Sequence, residues 1–225
     1  MIVYTSLYGG YDTPKPPRPH PGVSEWRLYT DDASIYAPGW RVVTEPRPEF
    51  EHPRMKAKWR KCHPPTDTHQ TLYLDASIRL RDPELLEHAV DLLARGAWWA
   101  MYLHPERSNI DDEVQASIRM PKYARLGPKM IAQAASYARE RSRQPGSGPM
   151  GLWAAGIIAR NAAAHAAVLQ AGADWFHECE LWTYQDQISL PVVLWRHEVL
   201  PTPMTLGGGL WRNPHFSIKT SEDRP

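Results

Sequence analysis

The stretch TLYLDASIRLRDPELL, residues 71–86, guides the interpretation of the whole chain. It begins as a short apolar strand, stops at a single acid, Asp75, and passes through a polar turn towards a helix. The helix signal is strong, because Asp82 stands in the N-cap position, Pro83 follows it, and an apolar stripe runs on to Gly96. A carboxylate that stands at the end of a strand, ahead of a turn and a helix, is usually positioned there for a function.

Strands and helices alternate along the rest of the chain, and polar residues collect where the strands end. The strand-like segments are residues 1–7, 25–32, 40–45, 71–78, 97–105 and 152–160. The helical segments are residues 54–62, 82–96, 110–120, 128–142 and 162–181, and residues 184–197 fit either a helix or a strand. This alternation predicts an α/β fold with a mostly parallel central sheet flanked by helices, which binds ligands beyond the carboxyl ends of its strands.

The chain shows no internal repeat, so we expect a single domain over residues 1–225. Its core is predicted at 1–200 and a C-terminal tail, whose charged end frays, at 201–225. The Pro-rich segment 13–22 is expected to be an extended spacer, because proline is excluded from central strands and helix interiors. The loop 143–151, bracketed by Gly and Pro, is expected to be mobile.

The composition fits an ordinary globular protein. Of the 225 residues, 42% are hydrophobic and 23% charged, which excludes a disordered chain, and the net charge of +1 excludes a polycation. Two cysteines, Cys62 and Cys179, are too few for a disulfide framework and lack zinc-ligand spacing. No apolar run approaches the roughly 20 residues of a membrane span, and no signal-peptide pattern is visible. We therefore expect a cytoplasmic protein with no membrane contact, and the oligomeric state stays open.

Two polar segments follow the first and second predicted strands. In YGGYD, residues 8–12, the glycines would let the backbone approach a nucleotide closely, although a plain turn is the simpler explanation. The acids of YTDD, residues 29–32, could meet a base or a ribose, or could form a solvated turn. The candidates for nucleotide binding in these segments are Tyr8, Gly9, Gly10, Asp12, Asp31 and Asp32.

Residues 54–61 form a basic cluster that could hold a pyrophosphate or nucleic-acid phosphates, although a solvated helix face is the usual explanation. Lys56 and Arg60 are the two that we assign to the nucleotide. The full set of cations is Arg54, Lys56, Lys58, Arg60 and Lys61.

Asp186 stands between two glutamines near the start of a predicted element. It could bind sugar hydroxyls or an acceptor, or it could cap a helix. With amide neighbours the carboxylate is expected to stay ionised. His104 and His215 are isolated histidines, which are more often structural than ligands.

Taken in order, these segments resemble one known family. It is the glycosyltransferase-like domain first catalogued as a domain of unknown function, which is found in plant mucilage proteins and in small bacterial and phage proteins. The resemblance spans residues 1–195 and rests on seven loose motifs in a fixed order. They are YTSLYGGYD (4–12), YTDD (29–32), HPRMKAKWRKCHPP (52–65), YLDASI (73–78), HPER with the acids that follow (104–113), GLWAAGIIAR (151–160), and WFHE with QDQIS (175–189).

The resemblance implies a GT-A-like fold, a single Rossmann-like domain that binds a nucleotide-sugar donor such as a UDP-sugar and usually a divalent metal such as Mn²⁺ or Mg²⁺. Asp75 would be the acid of a reduced DxD motif that contacts metal and donor, and Asp186 would be the second catalytic acid. Ser77 stands where the motif has its second acid, which weakens the predicted metal site, and Gln185 replaces an Arg before Asp186. His215 would be the third metal ligand, beside Asp75 and Ser77.

The leading hypothesis is therefore an enzyme that transfers a sugar from a nucleotide donor to a hydroxyl of a glycan, a protein or a hydroxymethylated base in phage-type DNA. Basic islands at residues 54–61, 119–129 and 139–143 are compatible with DNA. A phage-encoded enzyme would work in the cytoplasm of the host cell. One alternative is a nucleotide- or nucleic-acid-binding module without catalysis, which would not need Asp75 or Asp186. Another is a hydrolase, since some plant relatives are described as ceramidases.

Overall fold

A seven-stranded sheet lies at the centre of the protein, with helices packed against it. The computed structural model describes residues 1–143, 151–161 and 166–218. The loop predicted to be mobile and the chain end predicted to fray lie largely outside these ranges. Within the ranges, no helix combines the length and the apolar character that crossing a membrane requires.

The strands and helices follow the predicted alternation. The strands are β1 (Ile2–Leu7), β2 (Glu25–Thr30), β3 (Arg41–Thr44), β4 (Thr71–Leu74), β5 (Ile78–Leu80), β6 (Trp99–Leu103), β7 (Trp153–Arg160), β8 (Thr202–Pro203) and β9 (Phe216–Ile218). The helices are α1 (Pro53–Cys62), α2 (Glu84–Ala94), α3 (Ile110–Ile118), α4 (Gly127–Ser142), α5 (Ala166–Leu181) and α6 (Asp186–Arg196). The ambiguous segment 184–197 is therefore a helix, in spite of Pro191 in its interior.

The strand order of the main sheet is β3-β2-β1-β4-β7-β6-β8. β1 pairs in parallel with β2 and β4, β2 with β3, and β6 with β8, whereas β7 is antiparallel to both of its neighbours. The sheet is mostly parallel, which confirms the predicted α/β class. From β1 the chain builds outwards through β2 and β3, and then places β4 on the other side of β1. This reversal creates a switch point between β1 and β4, where α/β sheets bind ligands.

The first strand shows how the sheet is covered. All six residues of β1 are buried, as expected for a central parallel strand. Tyr4 packs in a core cluster with α1, α5 and α6, whereas its neighbour Val3 packs in a second cluster with α2. Successive side chains of a strand point to opposite faces, so the two clusters lie on opposite sides of the sheet. α3 and α4 pack against α6 in a third cluster.

The segment predicted as a C-terminal tail is part of the fold as far as residue 218. β8 pairs with β6, and β9 pairs antiparallel with β5 in a separate two-stranded sheet. Phe216 is buried and packs against the ring of Tyr102. The Gly- and Pro-rich composition of this segment predicts a loose tail. The prediction misses the strands because they are short and their partners are more than a hundred residues away.

Candidate active site

A cleft of about 360 Å³ opens at the carboxyl end of β4. Asp75 is the first residue after β4, and its backbone N–H donates to the carbonyl of Gly156 in β7 at 2.8 Å. The loop after β1 and the first turns of α1 form the other walls, so Asp75 shares this cleft with Gly9 and Tyr11 of that loop. The residues that line the cleft are Gly9, Tyr11, His52, Pro53, Arg54, Ala57, Lys58, Tyr73, Asp75, Ala76, Ser77, Lys122 and Tyr123.

The Asp75 carboxylate is held on one side and open on the other. Its Oδ1 accepts a hydrogen bond from the Tyr73 hydroxyl at 2.9 Å and lies 3.1 Å from the Lys61 ammonium. The Asp75 side chain nevertheless keeps 39% exposure. A Cβ on Gly156 would lie 3.4 Å from Oδ2, so the missing side chain there leaves room for the carboxylate. Asp75 is therefore oriented by the protein and still accessible to a ligand in the cleft.

Lys61 connects Asp75 to a second, buried carboxylate. The Lys61 ammonium lies 2.9 Å from Oδ2 of Asp186, and the Lys58 ammonium lies 2.7 Å from the same oxygen. Lys61 and Asp186 are both almost fully buried. Burial alone would lower the pKa of Lys61, but the carboxylates of Asp186 and Asp75 outweigh it and raise that pKa above its ordinary value. Lys61 is therefore charged at neutral pH.

Asp186, the first residue of α6, is ionised as predicted, but for a different reason. Burial would raise its pKa, and the ammonium groups of Lys58 and Lys61 outweigh burial and lower the pKa to about 2. Neither neighbouring amide contributes, because Gln185 donates to side chains of α3 and Gln187 to a backbone carbonyl of β7. The N-terminus of α6 has no side-chain cap. Asp186 thus joins α6 to α1 through two lysines.

Three of the five α1 cations share the side of the helix that faces this network. Arg54, Lys58 and Lys61 are spaced i, i+4 and i+7, which places them on one helical face. The Arg54 guanidinium lies 5.6 Å from the ring centre of Tyr123 and 5.5 Å from that of Tyr184, within cation–π range. Within the described residues, Arg54 makes no ion pair. We call these three residues the cleft face of α1, and they outnumber the two carboxylates that they meet.

The other two cations of α1, Lys56 and Arg60, do not line the cleft. The Lys56 ammonium lies 3.2 Å from Oδ2 of Asp31, whose Oδ1 accepts the backbone N–H of Gly9 at 3.0 Å. Arg60 pairs with Glu45, just after β3. Both acids stand at the carboxyl ends of strands, so these ion pairs tie α1 to the sheet. We call Lys56 and Arg60 the sheet face of α1.

Two more of the predicted nucleotide-binding residues are engaged elsewhere. Tyr8 is fully buried, and its hydroxyl donates to Glu45 at 3.0 Å. Asp32 accepts hydrogen bonds from the backbone N–H of Ser34 at 2.8 Å and from its hydroxyl at 2.6 Å, which is the solvated turn considered as the alternative. The structure therefore brings Gly9, but neither of these side chains, to the cleft.

A second cleft of about 680 Å³ adjoins the same loop. Gly10, Asp12 and Asp32 line it, next to Trp40. Asp12 is paired there with Lys15, whose ammonium lies 2.6 Å from Oδ1. Of the predicted nucleotide-binding residues, Gly9 thus lines the first cleft, Gly10, Asp12 and Asp32 line the second, and the other four line neither.

Family models match no part of the chain, and a comparison with curated proteins gives no match. Among solved structures, mouse xyloside xylosyltransferase 1 in its apo form is similar over 90% of this chain and 84% of that chain, with 10% identity and a TM-score of 0.43. The galactosyltransferase LgtC, in complex with donor and acceptor sugar analogues, is similar over 88% of this chain and 70% of that chain, with 13% identity and a TM-score of 0.40. The family resemblance stays a prediction.

The predicted metal ligands do not come together. Asp75 and Ser77 line the cleft, but the His215 imidazole lies 3.1 Å from Asp82 and 3.2 Å from Glu84, near the start of α2. In the parts of the chain that the structure describes, this cluster of His215 with two acids is the one group with the spacing of metal ligands. It contains none of the residues at the end of β4.

The cleft itself does not fit a divalent cation held by the protein. Mg²⁺ is usually bound by one or two carboxylates together with phosphate oxygens, and Asp75 is the one carboxylate among the described residues that line the cleft. The Lys61 ammonium already lies 3.1 Å from that carboxylate. The Lys61 ammonium would also repel a doubly charged ion at the same carboxylate, which offsets part of the attraction between that ion and Asp75. Ser77 would offer the ion a neutral hydroxyl in place of a second carboxylate.

The sequence contains a signal for the cleft-lining cations of α1, but it contains none for Lys122 and Tyr123. The helical period separates Lys56 and Arg60 from the other three cations of α1, so it could have divided the basic cluster into its two faces. Lys122 and Tyr123 belong to the turn before α4. No periodicity marks them, because only the packing of that turn against the start of α1 brings them to the cleft.

Proposed function

We propose that the protein is a glycosyltransferase that moves a sugar from a nucleotide-sugar donor to a hydroxyl acceptor. The observation that supports this most strongly is the position of Asp75, which is oriented by Tyr73 and Lys61 and accessible from a cleft at the switch point of the sheet. Sheets of this class bind nucleotides at that point. The positive cleft face of α1 suits a diphosphate, because charge-assisted hydrogen bonds to phosphate are strong.

In the proposed reaction, the bond between the anomeric carbon and the diphosphate oxygen breaks. A bond from that carbon to the acceptor oxygen forms, and the proton of the acceptor hydroxyl is released together with the nucleoside diphosphate. Negative charge therefore grows on the leaving diphosphate, and cations fixed in advance stabilise the transition state more than the ground state. Arg54 and Lys58, which line the cleft, are the side chains we assign to this role.

The two acids have different proposed roles. A carboxylate with a pKa of about 2 is a weak base at neutral pH, since a general base is most effective when its pKa lies near the operating pH. We therefore assign Asp186 to positioning Lys58 and Lys61. Asp75 keeps an exposed oxygen and is our candidate for direct contact with the sugar or the acceptor.

We place the acceptor at an aromatic rim of the cleft. The His52 ring stacks on Tyr184 with a centroid separation of 4.8 Å, and Arg54 lies near both Tyr184 and Tyr123. Aromatic faces beside cations stack on nucleobases and attract phosphates. This rim favours a hydroxymethylated base in DNA, and a glycan or protein hydroxyl would use the aromatic faces alone.

The first test is a thermal-shift panel of nucleotide sugars on the purified protein. A ligand that binds only the folded state stabilises it by about 2.7 kcal/mol at one hundred times its Kd, so binding raises the melting temperature. We expect at least one nucleotide sugar to do so, and to release nucleoside diphosphate faster when an acceptor is present. Absence of a shift with every nucleotide sugar would contradict the proposal.

Single-stranded DNA is added to the same thermal-shift panel, and two outcomes would support the alternatives. Binding of single-stranded DNA without any nucleotide-sugar binding would indicate a binding module. Release of nucleoside diphosphate at a rate that no acceptor changes would indicate a hydrolase.

A further inference from the structure

The distribution of charge around the cleft indicates how a diphosphate would be held. We infer that the diphosphate of the donor is bound and neutralised by the cleft face of α1, chiefly by Arg54 and Lys58, without a divalent cation held by the protein. This step rests on the proposed function, and it concerns only how the leaving group is stabilised.

The acids near the cleft are already committed to lysines. The buried Asp186 carboxylate receives two ammonium groups on one oxygen, from Lys58 at 2.7 Å and from Lys61 at 2.9 Å. Lys61 also lies 3.1 Å from Asp75. A divalent cation at Asp75 would have to compete with a buried ammonium for the same carboxylate, and Ser77 offers no second charge.

The cations of the cleft face, in contrast, outnumber the carboxylates that they contact. Lys58 lines the cleft and keeps 16% exposure while it contacts Asp186, so it can approach an anion without leaving its partner. Arg54 lines the cleft and has no acidic partner among the described residues. Its planar guanidinium presents paired N–H groups that match phosphate oxygens.

The backbone of α1 adds to this positive field. The first turn of the helix contains no acid, and His52, Pro53 and Arg54 at this end all line the cleft. The N-terminus of a helix carries a partial positive charge that favours anions. One N–H is already used, since the His52 ring accepts it from Arg54 at 3.1 Å. The helix end therefore supports the two side chains and does not form a site by itself.

The position of α1 is fixed by its other end. Arg160, which is fully buried, donates to the carbonyl of Lys61 at 2.7 Å. Gly172 of α5 lies so close to the carbonyl of Cys62 that a Cβ there would overlap it. Cations held in this way need little reorganisation when charge develops on a leaving group.

The test is calorimetric titration of the full chain with inorganic pyrophosphate and with UDP, GDP, ADP and CDP, once in EDTA and once in Mn²⁺. We expect pyrophosphate and at least one nucleoside diphosphate to bind in EDTA at least as tightly as in Mn²⁺, because Mn²⁺ in solution shields part of the phosphate charge that the cations of α1 would meet. Arg54→Met and Lys58→Met should each weaken binding roughly tenfold or more, since each removes a charged hydrogen bond. The matched control is Arg95→Met, an exposed Arg at the end of α2 that pairs with Asp91 and should leave the affinity unchanged.

The outcomes separate this inference from the proposed function. Binding of nucleoside diphosphate in Mn²⁺ but not in EDTA would overturn the inference and leave the glycosyltransferase proposal standing. Binding that neither Arg54→Met nor Lys58→Met weakens would also overturn it. Failure of every nucleoside diphosphate to bind in either buffer would overturn both. Arg54 lies outside the buried network, so Arg54→Met is the decisive variant if Lys58→Met lowers the melting temperature.

Discussion

The two faces of α1 carry the same kinds of side chain in different surroundings. On the sheet face, Lys56 and Arg60 each meet an acid at the end of a strand. On the cleft face, Arg54, Lys58 and Lys61 meet fewer acids than there are cations. The comparison teaches that the charge balance around a residue, and not its type, distinguishes a structural ion pair from a candidate ligand site. The sheet face is neutralised by the chain itself, whereas the cleft face has more cations than acidic partners.

The largest expected effect is that of Asp186→Asn, which removes the buried acid of the cleft face. Asn preserves the shape but leaves Lys58 without an acid, and breaking a buried ion pair costs about 3–5 kcal/mol of unfolding free energy. For a chain of this size the melting temperature should fall by on the order of 10 °C. Calorimetry on the purified variant measures it. A loss of about 1 kcal/mol or less would mean that Asp186 only caps α6, because Asn caps a helix nearly as well as Asp.

Low pH should remove the stability that the same residue, Asp186, contributes. The folded pKa of Asp186 is about 2, below its ordinary value of 3.8, so its contribution to stability is complete above pH 3.8 and is lost as the pH falls through about 2. At about 1.4 kcal/mol per pKa unit, the contribution is roughly 2 kcal/mol. Urea unfolding of the wild type and of Asp186→Asn between about pH 5 and pH 2 tests this. The two proteins should converge in stability towards the acid end, and parallel curves would contradict the prediction.

The second effect is on turnover. Asp75→Asn should slow sugar transfer roughly a hundredfold, about 2.7 kcal/mol of activation free energy, because it removes the charged group that faces the ligand. Stability should change by less than about 1 kcal/mol, since this side chain is 39% exposed. Steady-state kinetics and a melting curve on one sample separate the two. Wild-type turnover in the folded variant would remove Asp75 from the site.

The third effect concerns the packing of α5 against α1, the helix that carries both faces. Gly172→Ala should destabilise the protein by about 1–3 kcal/mol, because the new methyl group overlaps the carbonyl of Cys62 and forces backbone to move. Gly127→Ala is the matched control, since a Cβ there would lie 3.5 Å from Ile118, an ordinary contact distance. Chemical denaturation of both variants gives the difference. Equal stability would show that α1 can shift without cost.

The smallest effect should come from the sheet face. Lys56→Met removes a partly exposed ion pair with Asp31 and should cost less than about 1 kcal/mol. Affinity for nucleoside diphosphate should stay within about twofold, in contrast to Lys58→Met. Calorimetric titration of the two variants side by side compares the faces directly. A loss of affinity in Lys56→Met equal to that in Lys58→Met would erase the distinction between them.

Local patterns in the sequence predicted a large part of the fold. The alternation of short apolar segments with helical periodicity predicted the α/β class, and the end of the apolar run at Asp75, ahead of a polar turn, predicted that Asp75 follows a strand. Such signals are local, since periodicity, helix stops and turn residues act over a few positions. The segment 201–218 lacked them, because its strands are two and three residues long and pair with distant partners.

The sequence by itself determined which residues end the strands and which cations belong to α1. Only the tertiary structure decided which of those charges are neutralised. Asp186 pairs with Lys58 and Lys61, 128 and 125 positions away, and not with the amides beside it. His215 pairs with Asp82, 133 positions away, and not with Asp75. Ion pairs form wherever packing brings opposite charges within a few ångströms, and burial then strengthens them. Sequence neighbours carry no information about that proximity.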